Sequence, residues 1–391
     1  MNYNLLSSEK QFRKEAIVKA LKSVGADAIL ISDNSNIYYT FGSVISGYTF
    51  INSDGVELFF IRRPVGLSGD DIRYIRKPEN IIEHLAGLNV SIPKTLALEL
   101  DTLSYNDTSR LILAMNSPEV VNGSAIMRNI RSVKSDFEIE KLIESGVHHA
   151  NAYSKIPSLY KSGMTDFELQ VEIERVLRLE GCLGQFRISG QSMEMYMGNL
   201  LCGDNADAPS PYDFAMGGAG MDASLPVGCC GTTIKPGTTI MVDMCGNFTG
   251  YMTDMTRTFC VGDIPEEARV AHQLSIDICN RISREAIPGV AASSLYEIAL
   301  DMVKSAGMDD FFMGHKQKAG FIGHGVGIEV NESPVIAPRS KDIIHEGNVI
   351  ALEPKFVIPS VGAVGVENTY VARAGGLECI TTAPLQLISL Q

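Results

Sequence analysis

The 391 residues contain no tryptophan, no C-x-x-C pair, no block of Lys or Arg, and no apolar run near the ~18 residues that a membrane-spanning helix needs. The missing tryptophan bears on no function. Scarce basic charge does: 33 Lys plus Arg stand against 46 Asp plus Glu, a net −13. A chain of this sign, without a basic patch, grips phosphate backbones poorly, which argues against a nucleic-acid partner. The lack of a long apolar run argues against a membrane partner. The opening stretch MNYNLLSSEKQFRKEA turns charged too soon for the apolar region of a signal peptide, so a soluble, cytoplasmic protein is expected. Eight cysteines (Cys182, Cys202, Cys229, Cys230, Cys245, Cys260, Cys279, Cys379) without paired spacing support neither a disulfide framework nor a thiolate zinc site; reduced, mostly buried thiols are expected.

What is present is ordinary for a folded chain. Apolar residues make up 45% and charged residues 20%, too apolar for a disordered polymer, and the length allows two or three domains. From Glu9 to Val24, Phe12, Ala16, Ala20, Leu21 and Val24 recur at helical spacing, with Gly25 as a stop. ADAILIS (26–32) reads as a strand. GYTFINSDGVELFFIR (47–62) reads as a hairpin about Asp54-Gly55. TLALEL (95–100) and SRLILAM (109–115) fit a strand and a helix. Residues 1–126 therefore read as an α/β domain. Two capping boxes follow, Ser135-Asp-Phe-Glu138 and Thr165-Asp-Phe-Glu168, each predicting a helix start. Residues 182–237 are glycine-rich and read as irregular; helices are expected near 265–286 and 293–306. Residues 127–391 read as an α+β domain with an antiparallel sheet.

Acids sit in the strands of that second domain. TTIMVDMCGNFTGYMTDMTRTF (238–259) reads as two strands about a turn; a loop at 247–250 places Asp243 directly opposite Asp254. NVIALEPKFVIPSVGAVGVENTYV (348–371), folded back at Ser360, places Glu353 opposite Glu367. Pro354 has no N–H for a ladder, so its strand must be an edge or be bulged there. Unpaired carboxylates in apolar strands are costly, and like charges facing each other call for a cation. FIGHGVGIEVNESP (321–334) adds His324 among glycines. Four carboxylates and one imidazole, without thiolates, suit Mn²⁺, Co²⁺, Fe²⁺ or Zn²⁺. This many acids favours two divalent ions over one, able together to polarise a carbonyl and activate a water.

In their order, VDMCGNFTGYMTDMTRTF, GHGVGIEVNESP, ALEPKF and VGVENTY resemble the five-ligand signature of the pita-bread metallopeptidases, the group of methionine aminopeptidase, Xaa-Pro aminopeptidase, prolidase and creatinase. ADAILISDNSNIYYTFG (26–42) resembles the N-terminal domain of the creatinase and Xaa-Pro branch, which methionine aminopeptidases lack. The resemblance implies a creatinase-like α/β N-terminal domain over 1–126 and an α+β pita-bread domain with a curved antiparallel sheet over 127–391. It implies Asp243 on one metal, His324 on the other, Asp254 and Glu367 bridging, and Glu353 as both ligand and proton carrier for the attacking water. It further implies a homodimer acting on small peptides. Creatinase works without this metal set, so complete ligands argue against a creatine hydrolase.

Three positions depart from the Xaa-Pro pattern. Val227 follows the Pro of SLPVGCC where a His is usual, Asn331 stands where a second His is usual, and Gly365 stands where an Arg is common. Val227 and Asn331, with His315 nine residues before His324, are the candidate substrate-binding positions. Val227, Asn331 and Gly365 predict weakened recognition of an ordinary Xaa-Pro dipeptide. They keep a second reading open, a metal-dependent hydrolase or lyase of a small non-peptide substrate. A non-catalytic interaction protein is disfavoured by the complete ligand set. His84, His148, His149, His272 and His345 fit solvent-facing or capping roles, and Arg257 is a candidate partner for the site carboxylates or for a structural salt bridge.

Overall fold

The first apolar stripe of the sequence becomes helix α1 (Ser7–Val24), ended by Gly25 at φ +71, in the left-handed region. Its inward face is offset from the expected stripe: Glu9, Arg13, Ile17 and Leu21 are buried, whereas Phe12 and Val24 are exposed. Arg13 is tolerated inside because it donates to Glu9 and to the Tyr39 carbonyl, both at 2.7 Å, with its guanidinium over the Tyr39 ring. The computed structural model describes residues 6–190, 196–212 and 214–391; residues 1–5 of the opening stretch lie outside them. No helix among the described residues is long and apolar enough to cross a membrane.

The chain divides into two compact units, one ending at Arg131 and the other beginning at Ser132. In the first, β1 (Ala28–Ile31) is followed by α2 (Asn34–Phe41) and then by the hairpin β2 (Ser46–Asn52) and β3 (Glu57–Arg63) about Asp54-Gly55. After them come β4 (Ile72–Tyr74), α3 (Asn80–Gly87), β5 (Thr95–Leu98), α4 (Tyr105–Ala114), β6 (Glu119–Asn122) and α5 (Ser124–Ser132), the helix that contains residue 126. The strands form one mixed six-stranded sheet in the order β4-β3-β2-β1-β5-β6.

The second unit opens with α6 (Asp136–Tyr153) and α7 (Asp166–Leu179), and both capping boxes form as the sequence predicts. The stretch 182–237 is not wholly irregular: β7 (Gly198–Cys202) lies in it, all five residues buried, and pairs with β8 (Thr238–Asn247). β8 forms a long hairpin with β9 (Met252–Val261). Helices α8 (Glu266–Glu285) and α9 (Ala292–Ala306) precede β10 (Gly323–Gly325) and β11 (Glu332–Ile336). The remaining strands are β12 (Val349–Leu352), β13 (Lys355–Ile358), β14 (Gly362–Gly365), β15 (Asn368–Arg373), β16 (Gly376–Cys379) and β17 (Ile388–Leu390).

They build an antiparallel sheet β11-β10-β12-β15-β16, a sheet β17-β9-β8-β7 whose β17–β9 pair is parallel, and the separate pair β13-β14. Residues of α8 and α9 pack with the first sheet and the β13-β14 pair, and those of α6 and α7 with the second, in two apolar clusters. The sheets are tied across β9 and β15: Asp254 N donates to Thr369 Oγ1, which donates to the Asp254 carbonyl, each at 2.8 Å. An α/β N-terminal unit followed by an α+β unit of antiparallel sheets and helix pairs is the architecture the resemblance implies. The eight cysteines are free thiols, Cys230 and Cys379 half-buried and the rest buried.

Candidate metal centre

The acids reach the site through two interrupted or shifted hairpins. In β8–β9, Asp243 lies opposite Thr256 and Asp254 opposite Cys245. That is two residues away from the direct Asp243–Asp254 pairing expected, because the loop takes residues 248–251 rather than 247–250. Side chains alternate with period two, so an even shift leaves both acids on one face. In the second hairpin the expected register is present on both sides of a break: Leu352 pairs with Asn368 and Lys355 with Gly365. Glu353 and Glu367 face each other in the gap, where Pro354 cannot donate and the Glu353 N–H turns to the Ile322 carbonyl at 2.8 Å. Gly323–Gly325 pairs with both β11 and β12 and brings His324 alongside.

Asp243, Asp254, His324, Glu353 and Glu367 therefore line one cavity of about 420 Å³. Two nests of possible ligand atoms result, Asp254–His324–Glu367 and Asp243–Glu353–Glu367. His324 Nδ1 lies 3.1 Å from the Gly325 carbonyl, which in the neutral ring makes Nδ1 the donor and leaves the Nε2 lone pair inward. Nε2 is 3.4 Å from Glu353 Oε1 and 3.9 Å from Asp254 Oδ2. Thr256 donates to Glu367 Oε2 at 2.7 Å, while Glu367 Oε1 is buried with no hydrogen-bond partner. A buried carboxylate oxygen in that state calls for a cation.

The site also contains a cation that the sequence reading passed over. Lys355, fully buried, places Nζ 2.6 Å from Glu353 Oε2, 2.7 Å from Asp243 Oδ2 and 3.1 Å from Glu367 Oε2. The signal was in ALEPKF itself: two residues along an extended chain share a face, so Lys355 follows Glu353 inward. Burial alone would lower the Lys355 pKa, but the charges of Asp243, Glu353 and Glu367 raise it well above its usual value. Burial likewise opposes ionisation of Glu353, yet Lys355 and His324 outweigh it and hold this carboxyl down at about 2. Asp254 is pushed up to about 7 by burial and then by Asp243; Glu367 is also pushed up, by burial and the charges of Asp254 and Glu353. For His324, burial acts downward but the Glu353 hydrogen bond and the Glu353 and Asp254 charges raise it to about 9.

The cavity walls are apolar, with Phe186, Ile188, Phe214, Phe321, Val330 and Val335 among them. The substrate-binding candidates fare differently. Asn331 lines the cavity but its amide is committed: Nδ2 donates to the Ser189 carbonyl and Oδ1 accepts from the Ser189 N–H, each at 2.7 Å. Val227 is not among the lining residues; its N–H closes a turn onto the Leu225 carbonyl. His315 is not among them either, and its Nδ1 lies 3.0 Å from Asp207 Oδ2. Gly365 has φ +141, and a Cβ there would stand 2.8 Å from the Pro354 carbonyl oxygen, so that position excludes a side chain outright.

Arg257 makes no ion pair among the described residues. It donates to the carbonyls of Thr256, Glu367 and Ala383 and to Asn368 Oδ1 at 2.7–2.8 Å, bracing the gap between β14 and β15 that carries Glu367. His149 and His272 are buried, not solvent-facing: His149 Nδ1 lies 3.0 Å from Thr253 Oγ1 and His272 Nε2 2.8 Å from the Leu385 carbonyl.

Comparison with known proteins agrees along most of the chain. Residues 140–374 match "Metallopeptidase family M24" and residues 13–133 match "Creatinase/Prolidase N-terminal domain". The chain is similar to a Xaa-Pro dipeptidase of Pyrococcus horikoshii, 24% identical over 95% of this chain and 97% of that one. It is similar in fold to a Xaa-Pro dipeptidase from Bacillus anthracis (TM-score 0.80, 22% identity, 97% of this chain and 100% of that one). An X-Pro aminopeptidase from Thermotoga maritima superposes with TM-score 0.78 and 22% identity, over 96% and 99% of the two chains.

Proposed function

The chain belongs to metallopeptidase family M24, and from that premise we propose that it is a metal-dependent aminopeptidase or dipeptidase of the Xaa-Pro type, acting on small peptides. The observation that carries the reading is the convergence of Asp243, Asp254, His324, Glu353 and Glu367 on one cavity, with Glu367 Oε1 buried and unpartnered. Asp254, His324 and Glu367 would hold the ion, and their donor set suits Mn²⁺, Co²⁺, Fe²⁺ or Zn²⁺. A divalent ion bound there supplies polarisation of the scissile carbonyl and a lowered pKa for the attacking water.

The chain's own residues do the rest. Glu353, kept ionised by the Lys355 ammonium 2.6 Å away, accepts the water's proton and returns it to the leaving amine. Phe186, Ile188 and Phe321 receive an apolar substrate side chain and keep bulk water from the reacting atoms. The test is metal analysis beside a screen of Xaa-Pro dipeptides with added Mn²⁺ or Co²⁺. Asp254→Ala should lose bound metal and at least about a hundredfold in kcat/KM, since a direct ligand matters no less than its supports. Full metal occupancy and activity in that variant would sink the reading.

A hydrolase or lyase acting on a small non-peptide substrate is the second reading. Three observations favour it: Asn331 is spent on Ser189, Gly365 has no room for a side chain, and Val227 lies outside the cavity lining. Activity on a non-peptide panel but none on peptides would select it. The family resemblance implies two ions sharing Asp254 and Glu367. That arrangement needs the Asp243 side of the cluster for the second ion, and Lys355 stands there.

A further inference from the structure

We propose that the Lys355 ammonium is an internal cation that takes the place of one of the two ions, so that the chain holds a single divalent ion on the Asp254–His324–Glu367 side. The inference rests on the metal-dependent reading above and concerns how the cluster is shared. Of the two nests of possible ligands, Asp243–Glu353–Glu367 consists of the same three residues whose oxygens lie 2.6–3.1 Å from Nζ. An ion bound by those oxygens would need the space the nitrogen occupies. The other nest is reached by Lys355 only through the shared Glu367, whose Oε2 takes the ammonium and whose Oε1 is left for a different partner.

With an ion bound and all four carboxylates ionised, Lys355 and one divalent ion set three positive charges against four negative, so the ammonium already supplies part of the charge a second ion would bring. Nor is the ammonium free to step aside cheaply. Its side chain is fully buried, and Lys355 is held in the strand pair by its register with Gly365. Drawing Nζ away from its carboxylates without giving it water would leave a charge buried and unpaired. A fixed cation needs no loading, so metal activation should follow single-site saturation, whereas two ions sharing ligands would couple.

The experiment is metal stoichiometry on the intact chain saturated with Mn²⁺, by elemental analysis, with electron paramagnetic resonance of the same samples. The wild type should bind one Mn²⁺ per chain, with the spectrum of an isolated ion. Lys355→Ala should bind two and show the spectrum of an exchange-coupled pair. His324→Ala should lose the single ion from the wild-type background, and Asp243→Asn should keep it. Two ions in the wild type would overturn the proposal, as would one ion in a folded Lys355→Ala, or loss of the ion from Asp243→Asn with retention in His324→Ala. No tight ion in the wild type would overturn the metal-dependent reading itself and this inference with it. If Lys355→Ala does not fold, the wild-type count and spectrum still decide.

Discussion

His149 is an imidazole sealed in the interior, with Nδ1 on Thr253 and Nε2 without a partner. A charged ring there would present two donors to one acceptor. Burial, and secondarily the Arg257 charge, lower its pKa from 6.5 to about 3. The sign follows: the unfolded chain takes up a proton that the folded one refuses, so the contribution is complete above pH 6.5 and is lost as pH falls toward 3. Its full size is on the order of 5 kcal/mol. Between pH 7.5 and pH 5, the urea midpoint of the wild type should therefore fall more steeply than that of His149→Gln. Parallel slopes would show that this ring does not set the acid limit. Gly246 belongs to the same packing, since a Cβ there would stand 2.6 Å from His149 Nδ1.

At the scale of elements, the segment 186–190 forms one wall of the cavity without being a strand of any sheet. It is held by the turn before β11: Val330 N donates to the Arg187 carbonyl at 2.9 Å, and Asn331 brackets Ser189. A side-chain amide thus substitutes for the ladder that backbone would otherwise provide. Asn331→Ala strands both Ser189 backbone groups at a cost of about 1–3 kcal/mol each. The wall carrying Phe186 and Ile188 should loosen, raising KM about tenfold or more while bound metal stays at the wild-type level. Loss of metal in step with KM, or an unchanged KM, would refute the positioning role. The two hairpins show a related economy. The proline that ends β12 frees Glu353 from the ladder, and the same break in the facing chain frees Glu367.

For the whole molecule, each unit carries its own apolar core: Leu30, Phe50, Phe60 and Leu96 in the first, the clusters about the two sheets in the second. All five candidate ligands belong to the second unit. A ligand stabilises only the unit that binds it, by about 2.7 kcal/mol at a hundred times its Kd. In calorimetry, Mn²⁺ should move the unfolding of the second unit upward and leave that of the first in place. We propose that residues 1–126 supply no metal ligand; a Mn²⁺-dependent shift of the first unit's transition would count against it.

The sequence by itself determined whatever rests on local pattern. Capping boxes, the hairpin at Asp54-Gly55, a ladder irregularity at Pro354 and the inward face shared by Asp243, Asp254, Glu353 and Glu367 follow from spacing and backbone chemistry. The register of β8–β9 slipped by two because a turn of Gly246–Gly250 composition admits two loop placements, and only the packed sheets choose between them. Tertiary structure alone decided the rest. The Lys355–Asp243 contact spans 112 residues, the bond from Asn331 to Ser189 142, and the one from His149 to Thr253 104. In a sequence each of these is a lone Lys, Asn or His. Its meaning comes from the partner that folding brings to it, because the cost of burying a polar group is set by what it meets inside.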